Sequence, residues 1–175
     1  NIPPVITCPA NLTVGCETVT DPNNTGIYGN ATATDNCPGT TITETHVINL
    51  NDCGVGTIVR TFKATDASGN MSAWLQTVTV INSNPWDQGD ITWPASPVSV
   101  NICNSTDPAN IPNGVPVINP SALQCSNPVV THSDVVQTIV DNNPNTPCKI
   151  ITRTWTITDN CQQNGVFTFV QTINV

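Results

Sequence analysis

The sequence of 175 residues carries an internal duplication, and a chain built this way must fold both halves by one plan. Ile6-Thr7-Cys8-Pro9-Ala10 recurs as Ile91-Thr92-Trp93-Pro94-Ala95, and Thr20-Asp21-Pro22 returns as Thr106-Asp107-Pro108. Gly26 stands eleven residues before Cys37, as Gly114 stands eleven before Cys125. Further on, Arg60-Thr61-Phe62-Lys63-Ala64-Thr65-Asp66 matches Arg153-Thr154-Trp155-Thr156-Ile157-Thr158-Asp159, and Gln76-Thr77-Val78-Thr79-Val80 matches Gln171-Thr172-Ile173-Asn174-Val175. Two domains follow, 1–83 and 84–175, with a turn-rich linker at about 82–90 whose Trp86 is expected to pack between them.

Each repeated element reads as a strand. Residues 41–48 alternate, and Ile58, Phe62 and Ala64 fall on one face of the strand that carries Arg60. No stretch has helical periodicity. Repeats of about 85 residues, with some six strands and turns at Asp-Pro, Asp-Asn and Ser-Gly-Asn, predict an all-β chain of two tandem immunoglobulin-like β-sandwich domains.

Eight cysteines, with no pair or Cys/His cluster at zinc-ligand spacing, predict disulfides and an oxidising compartment. The chain opens without a basic or apolar leader and holds no apolar run long enough to span a bilayer, so it reads as a mature or excised extracellular segment with no membrane insertion of its own. Four basic against twelve acidic residues give a net charge of −8, a poor surface for nucleic acid, whose phosphates need clustered Lys and Arg. Asn-x-Ser/Thr sequons begin at Asn11, Asn23, Asn30, Asn70 and Asn104, a count that a chain rich in Asn and Thr produces largely by chance.

The ordered series Pro4-Val5-Ile6-Thr7-Cys8-Pro9, Ala33-Thr34-Asp35-Asn36-Cys37, Arg60-Thr61-Phe62 with Ala64-Thr65-Asp66, Ser68-Gly69-Asn70 and Gln76-Thr77-Val78-Thr79-Val80 resembles the hyalin repeat, particularly its variants in giant surface proteins of gliding and environmental bacteria. The resemblance covers nearly all of the first half and, more weakly, the second, which departs at Trp93 and in Ala122-Leu123-Gln124-Cys125. It implies immunoglobulin-like modules in arrays, a role in adhesion or surface fibres, and no shared catalytic residues.

Superposing the halves gives six positions: Cys8/Trp93, Cys16/Cys103, Cys37/Cys125, Cys53/Cys148, Ser68/Cys161 and Trp74/Phe169. An up-and-down strand path brings the second and fourth to one end of the sandwich and the rest to the other. The expected bridges are therefore Cys16–Cys53 and Cys103–Cys148 in common, Cys125–Cys161 in the second repeat and Cys8–Cys37 in the first, two per domain, while Trp93 and Phe169 are expected to fill the first and sixth positions of the second repeat with an aromatic contact.

Little in the sequence offers chemistry. The two histidines, His46 and His132, fall on the strand after the third cysteine position at apparently equivalent places, and the two glutamates, Glu17 and Glu44, have no evident counterparts in the second half. No catalytic site and no organic cofactor are expected. Arg60 and Arg153 share a face with the aromatic two positions on, and an inward Arg must be paired. Asp35 or Asp66 is the expected partner in the first repeat and Asp159 in the second, as structural ion pairs or, alternatively, as an anion clamp. If the domains stack head to tail, Asp52, Asp87, Asp90 and Asp159 are calcium candidates, against the plainer reading of acidic residues that cap strand ends. The overall expectation is a stalk or fibre module whose partners are neighbouring repeats, copies of itself, or a surface glycan or protein. The rivals are a filament subunit polymerising by strand donation from Asn1-Ile2-Pro3-Pro4 and a glycan-binding accessory module. For the last, Trp74, Trp93 and Trp155 read as core-facing and only Trp86 as free to bind. The other expected contact loop is 141–147, where the second repeat is longer.

Overall fold

The computed structural model describes residues 2–18, 21–101, 111, 114–140, 143, 146–163 and 165–175. The chain divides into two compact units, Asn1–Asn84 and Pro85–Val175. In the first, a short antiparallel ribbon of β1 (Val5–Thr7) and β3 (Thr32–Thr34) accompanies a four-stranded sheet. That sheet runs β2 (Leu12–Gly15), β6 (Met71–Ile81), β5 (Gly56–Thr65), β4 (Thr41–Leu50), with β2 parallel to β6 and the other pairs antiparallel. The second unit repeats the plan strand for strand. Its ribbon is β7 (Ile91–Thr92) with β9 (Val117–Ile118), and its sheet runs β8 (Val98–Ser99), β12 (Val166–Asn174), β11 (Lys149–Thr158), β10 (Val129–Thr138), again with one parallel pair at the β8 edge. The chain is all-β, in two sandwich-like halves. No helix among the described residues is long and apolar enough to cross a membrane.

The central strands β5 and β11 fix the inner faces. Alternation buries Ile58, Arg60, Phe62 and Ala64 on β5, and Ile151, Arg153, Trp155 and Ile157 on β11. In the first unit Tyr28, from a single helical turn (α1, Thr25–Tyr28), closes over Ile58, Val78 and Val80. Gly29 ends that turn at φ 77°, a left-handed conformation that a side chain resists, and Pro9 would lie 3.0 Å from an added Cβ. In the second unit Val100, Ile111, Ile151 and Ile173 pack together, as do Trp86, Ile91, Ala122 and Ile157.

That last cluster corrects the expectation for Trp86. Its ring is 2% exposed and belongs to the second unit, packed against Phe167 with centroids 4.8 Å apart, while its Nε1 donates to Asp159 Oδ2 (2.7 Å). A residue expected to link domains is thus core, because the segment after Pro85 turns into the unit through a 3-10 turn (Gln88–Asp90) capped by Asp87 and Asp90.

The cysteines depart from two bridges per domain. Cys16, Cys53, Cys125 and Cys161 are disulfide-bonded. Cys8 and Cys37 are free thiols. The β1–β3 register explains why: Thr7 pairs with Thr32 and Val5 with Thr34, so Cys8 leaves one end of the ribbon and Cys37 the other. The offset is roughly 13–20 Å along the strand direction, well beyond the ~7 Å Cα separation that a disulfide tolerates. Cys148 is also free, its thiol turned to the Val175 carbonyl at 3.2 Å, so the expected Cys103–Cys148 bridge does not form; Cys103 itself lies outside the described residues. Peptide mapping of the non-reduced protein after alkylation should find label on Cys8, Cys37 and Cys148. A Cys8–Cys37 or Cys103–Cys148 peptide would show this arrangement to be wrong.

Candidate functional site

Both expected inward arginines are buried, and both are paired with residues other than those expected. Arg60 Nε and Nη2 clasp the two oxygens of Glu44 at 2.7 and 3.1 Å. Its Nη1 donates to Gln76 Oε1 (2.7 Å) and to the carbonyls of Tyr28 and Gly29. Gln76 passes the bonding on, its Nε2 donating to the carbonyls of Ala10 and Tyr28. The guanidinium also lies over Phe62, 4.8 Å from the ring centre. In the second unit Arg153 clasps Asp134 at 2.7 and 2.8 Å and lies 5.3 Å from the centre of Trp155, whose Nε1 donates to Gln171 Oε1 while Gln171 Nε2 donates to the Ala95 carbonyl. Each buried charge thus meets a bidentate carboxylate at the sheet rim and sits across from a glutamine on the neighbouring strand.

Cross-strand register makes the choice of acid. Arg60 stands opposite His46 on β4 with Glu44 one inward position along, whereas Arg153 stands directly opposite Asp134 on β10. The histidines are therefore not equivalent: His46 faces the arginine position and His132 faces Trp155, against which its ring packs at 5.1 Å. Glu44 does have a counterpart, Asp134, in which the acid and histidine have exchanged places along the strand.

The acids expected to pair with arginine hold turns instead. Asp66 accepts from the backbone N–H groups of Ser68 and Asn70 and from the Asn70 side chain, which draws its pKa below the usual carboxylate value. Asp159 does the same after β11: burial pushes its pKa up, but bonds from Trp86, Cys161 and Asn127 outweigh this and leave it lowered. Asp35 accepts from the Cys37 N–H (3.3 Å). Of the calcium candidates, Asp52 belongs to the first unit. Asp87 accepts from Gly89 N–H and Asp90 from Asp87 N–H, and among the described residues these two and Asp159 do not come together as a metal-binding group.

Among the described residues, a groove in the first unit was missed by the sequence reading. Cys8, Pro9, Ala10, Asn11, Ala73, Trp74 and Leu75 line an open groove of about 750 Å³ in the first unit. Trp74, read from sequence as core-facing, is 58% exposed there, although it sits on the inner side of β6 opposite buried Phe62. The second unit shows why. There Phe169 occupies the Trp74 position opposite Trp155, and Trp93 stacks on it with centroids 5.1 Å apart. Cys8 stands where Trp93 stands, and a thiol cannot cover an indole. The expected aromatic contact of Trp93 with Phe169 thus forms, and what escaped was its consequence for the first unit, where Cys8 in place of Trp93 leaves Trp74 uncovered. Burial pushes the Cys8 thiol pKa up, making it a weak nucleophile.

No family model matches the chain, and none of the curated proteins compared with it matches. The groove and the two arginine networks therefore stand on their own geometry.

The lowered pKa of Asp134, caused chiefly by its hydrogen bonds from Arg153, and those of Asp66 and Asp159 carry a pH dependence. Carboxylates depressed in the folded state contribute stability that is complete above their unfolded value near 3.9 and is lost as pH falls through the folded value. Urea midpoints should be flat from about pH 7 to 5 and fall steeply below about 4. Asp134→Asn should flatten part of that fall and cost roughly 2–3 kcal/mol at neutral pH, less than a fully buried pair because the Asp134 side chain remains 23% exposed. An acid limb unchanged in Asp134→Asn would contradict the assignment.

Proposed function

We propose that this chain is a non-catalytic structural and adhesive module: tandem immunoglobulin-like repeats of the hyalin type that serve outside the cell as a stalk or fibre segment. The observation that carries this reading is that one strand plan and one buried arginine, clasped by a carboxylate of the edge strand and standing opposite a glutamine, occur twice in the chain, while the residues around them vary. A framework kept constant under a changing surface suits an array of spacers. The titratable groups fit the same reading: Glu44, Asp134, Asp66 and Asp159 are engaged in holding strands and turns. The disulfide-bonded cysteines suit an oxidising compartment, and extracellular exposure is the natural setting for such a module.

One observation favours the filament alternative. On β4 every residue from Thr41 to Asn49 is exposed, and β10 is nearly as open, so each sheet ends in a ten-residue edge strand free of lysine and proline. Such edges are templates for strand addition. The expected donor at the chain start is less suited, since Pro4 is buried.

Purified protein should turn over no ester, peptide or glycoside substrate, and His46→Gln and His132→Gln should fold normally. Turnover abolished by either change would overturn the non-catalytic reading. Concentration-dependent fibres in sedimentation velocity would replace the spacer with the filament subunit.

A further inference from the structure

Two differences between the units shape the groove beside Trp74. The first is Cys8, where the second unit has Trp93 filling the equivalent space. The second is Asn11, which follows Ala10 as Ser96 follows Ala95. Both side chains accept from the same backbone group of their unit, Asn11 Oδ1 from Thr77 N–H (2.7 Å) and Ser96 Oγ from Thr172 N–H (2.9 Å). The Asn11 amide keeps two N–H donors where the Ser96 hydroxyl keeps one, and the bond from Thr77 fixes the orientation of its amide among the groove-lining residues. One difference removes a flat ring from above the inner-face aromatic, and the other puts a side chain with a further hydrogen-bond donor among the residues that line the vacated space.

We infer that this groove is a binding site for a neutral carbohydrate chain, with a pyranose ring seated on the Trp74 indole. This rests on the adhesive reading above and names its partner. Three features select the ligand. The equivalent space accepts the face of an indole, so it fits a flat apolar surface such as the C–H face of a sugar ring. None of the lining residues is charged, although the chain carries a net −8, so the site suits a neutral ligand and has no group to clamp a carboxylate or phosphate. Its volume, about 750 Å³, lies within the range of small-molecule sites and is larger than one aromatic side chain needs, which favours a run of sugars over a single inserted residue.

The test is calorimetric titration of cello-, laminari-, manno- and xylohexaose into protein made without N-glycosylation, so that Asn11, which heads an Asn-Leu-Thr sequon, carries no sugar of its own. At least one hexasaccharide should bind saturably. Trp74→Ala and Cys8→Trp, the latter restoring the plug of the second unit, should each weaken binding at least tenfold, and Asn11→Ala should weaken it several-fold, all with unchanged circular dichroism. If Cys8→Trp fails to fold, Trp74→Ala decides. Absence of binding by all four sugars, binding indifferent to Trp74→Ala, or binding only of a tryptophan-containing peptide would overturn the inference. The sugars recovered afterwards should keep their length; shortened chains would instead bring down the non-catalytic reading.

Discussion

A guanidinium group closed off from water inside a small β-sheet protein is the constraint around which each half of this molecule is arranged. The chain has only four basic residues, and two of them, Arg60 and Arg153, are 0% and 1% exposed. Burying such a charge is costly unless every donor finds an acceptor, so the surrounding backbone must be placed to meet it. In the first unit the acceptors come from β4, β6 and the α1 turn, which ties three separate stretches of chain to one side chain. The left-handed Gly29 is part of that arrangement, since its carbonyl is one of the acceptors. The surrounding apolar packing is modest in extent, and the polar network specifies which strands meet and in which register.

Much of this was legible in the sequence. The duplication, the alternation on β5 and β11 and the inward arginines all follow from side-chain periodicity, which is local. What escaped was register. The partners of Arg60 and Arg153 lie on neighbouring strands, and a two-residue exchange between acid and histidine conceals the equivalence of Glu44 and Asp134 from any linear comparison. The nearby aspartates Asp66 and Asp159 looked like better partners because they are close in sequence, yet an Asp one residue past a strand is well placed to accept from the turn that follows. The Cys8–Cys37 expectation failed for a related reason: it required the two residues to meet, and a three-pair antiparallel ribbon carries them to opposite ends.

The tryptophans show the same limit from another side. Inner-face position does not guarantee burial when the opposite layer is thin, and here that layer is a short ribbon. Whether an inward aromatic is covered then depends on one residue of β1 or β7 and its neighbours. Trp93 covers Phe169, and Cys8 leaves Trp74 open. Trp86, placed in a linker by its turn-rich surroundings, is instead drawn into the second unit by an apolar pocket and the Asp159 carboxylate.

If the buried arginine networks organise each unit, the backbone next to them should be the last to open. Native-state hydrogen exchange measures this residue by residue. The amides of Arg60, Thr61 and Phe62 on β5 and of Arg153, Thr154 and Trp155 on β11 should exchange most slowly in their units, at rates set by global unfolding. Exchange at these positions as fast as on the exposed edge strands β4 and β10 would contradict the account.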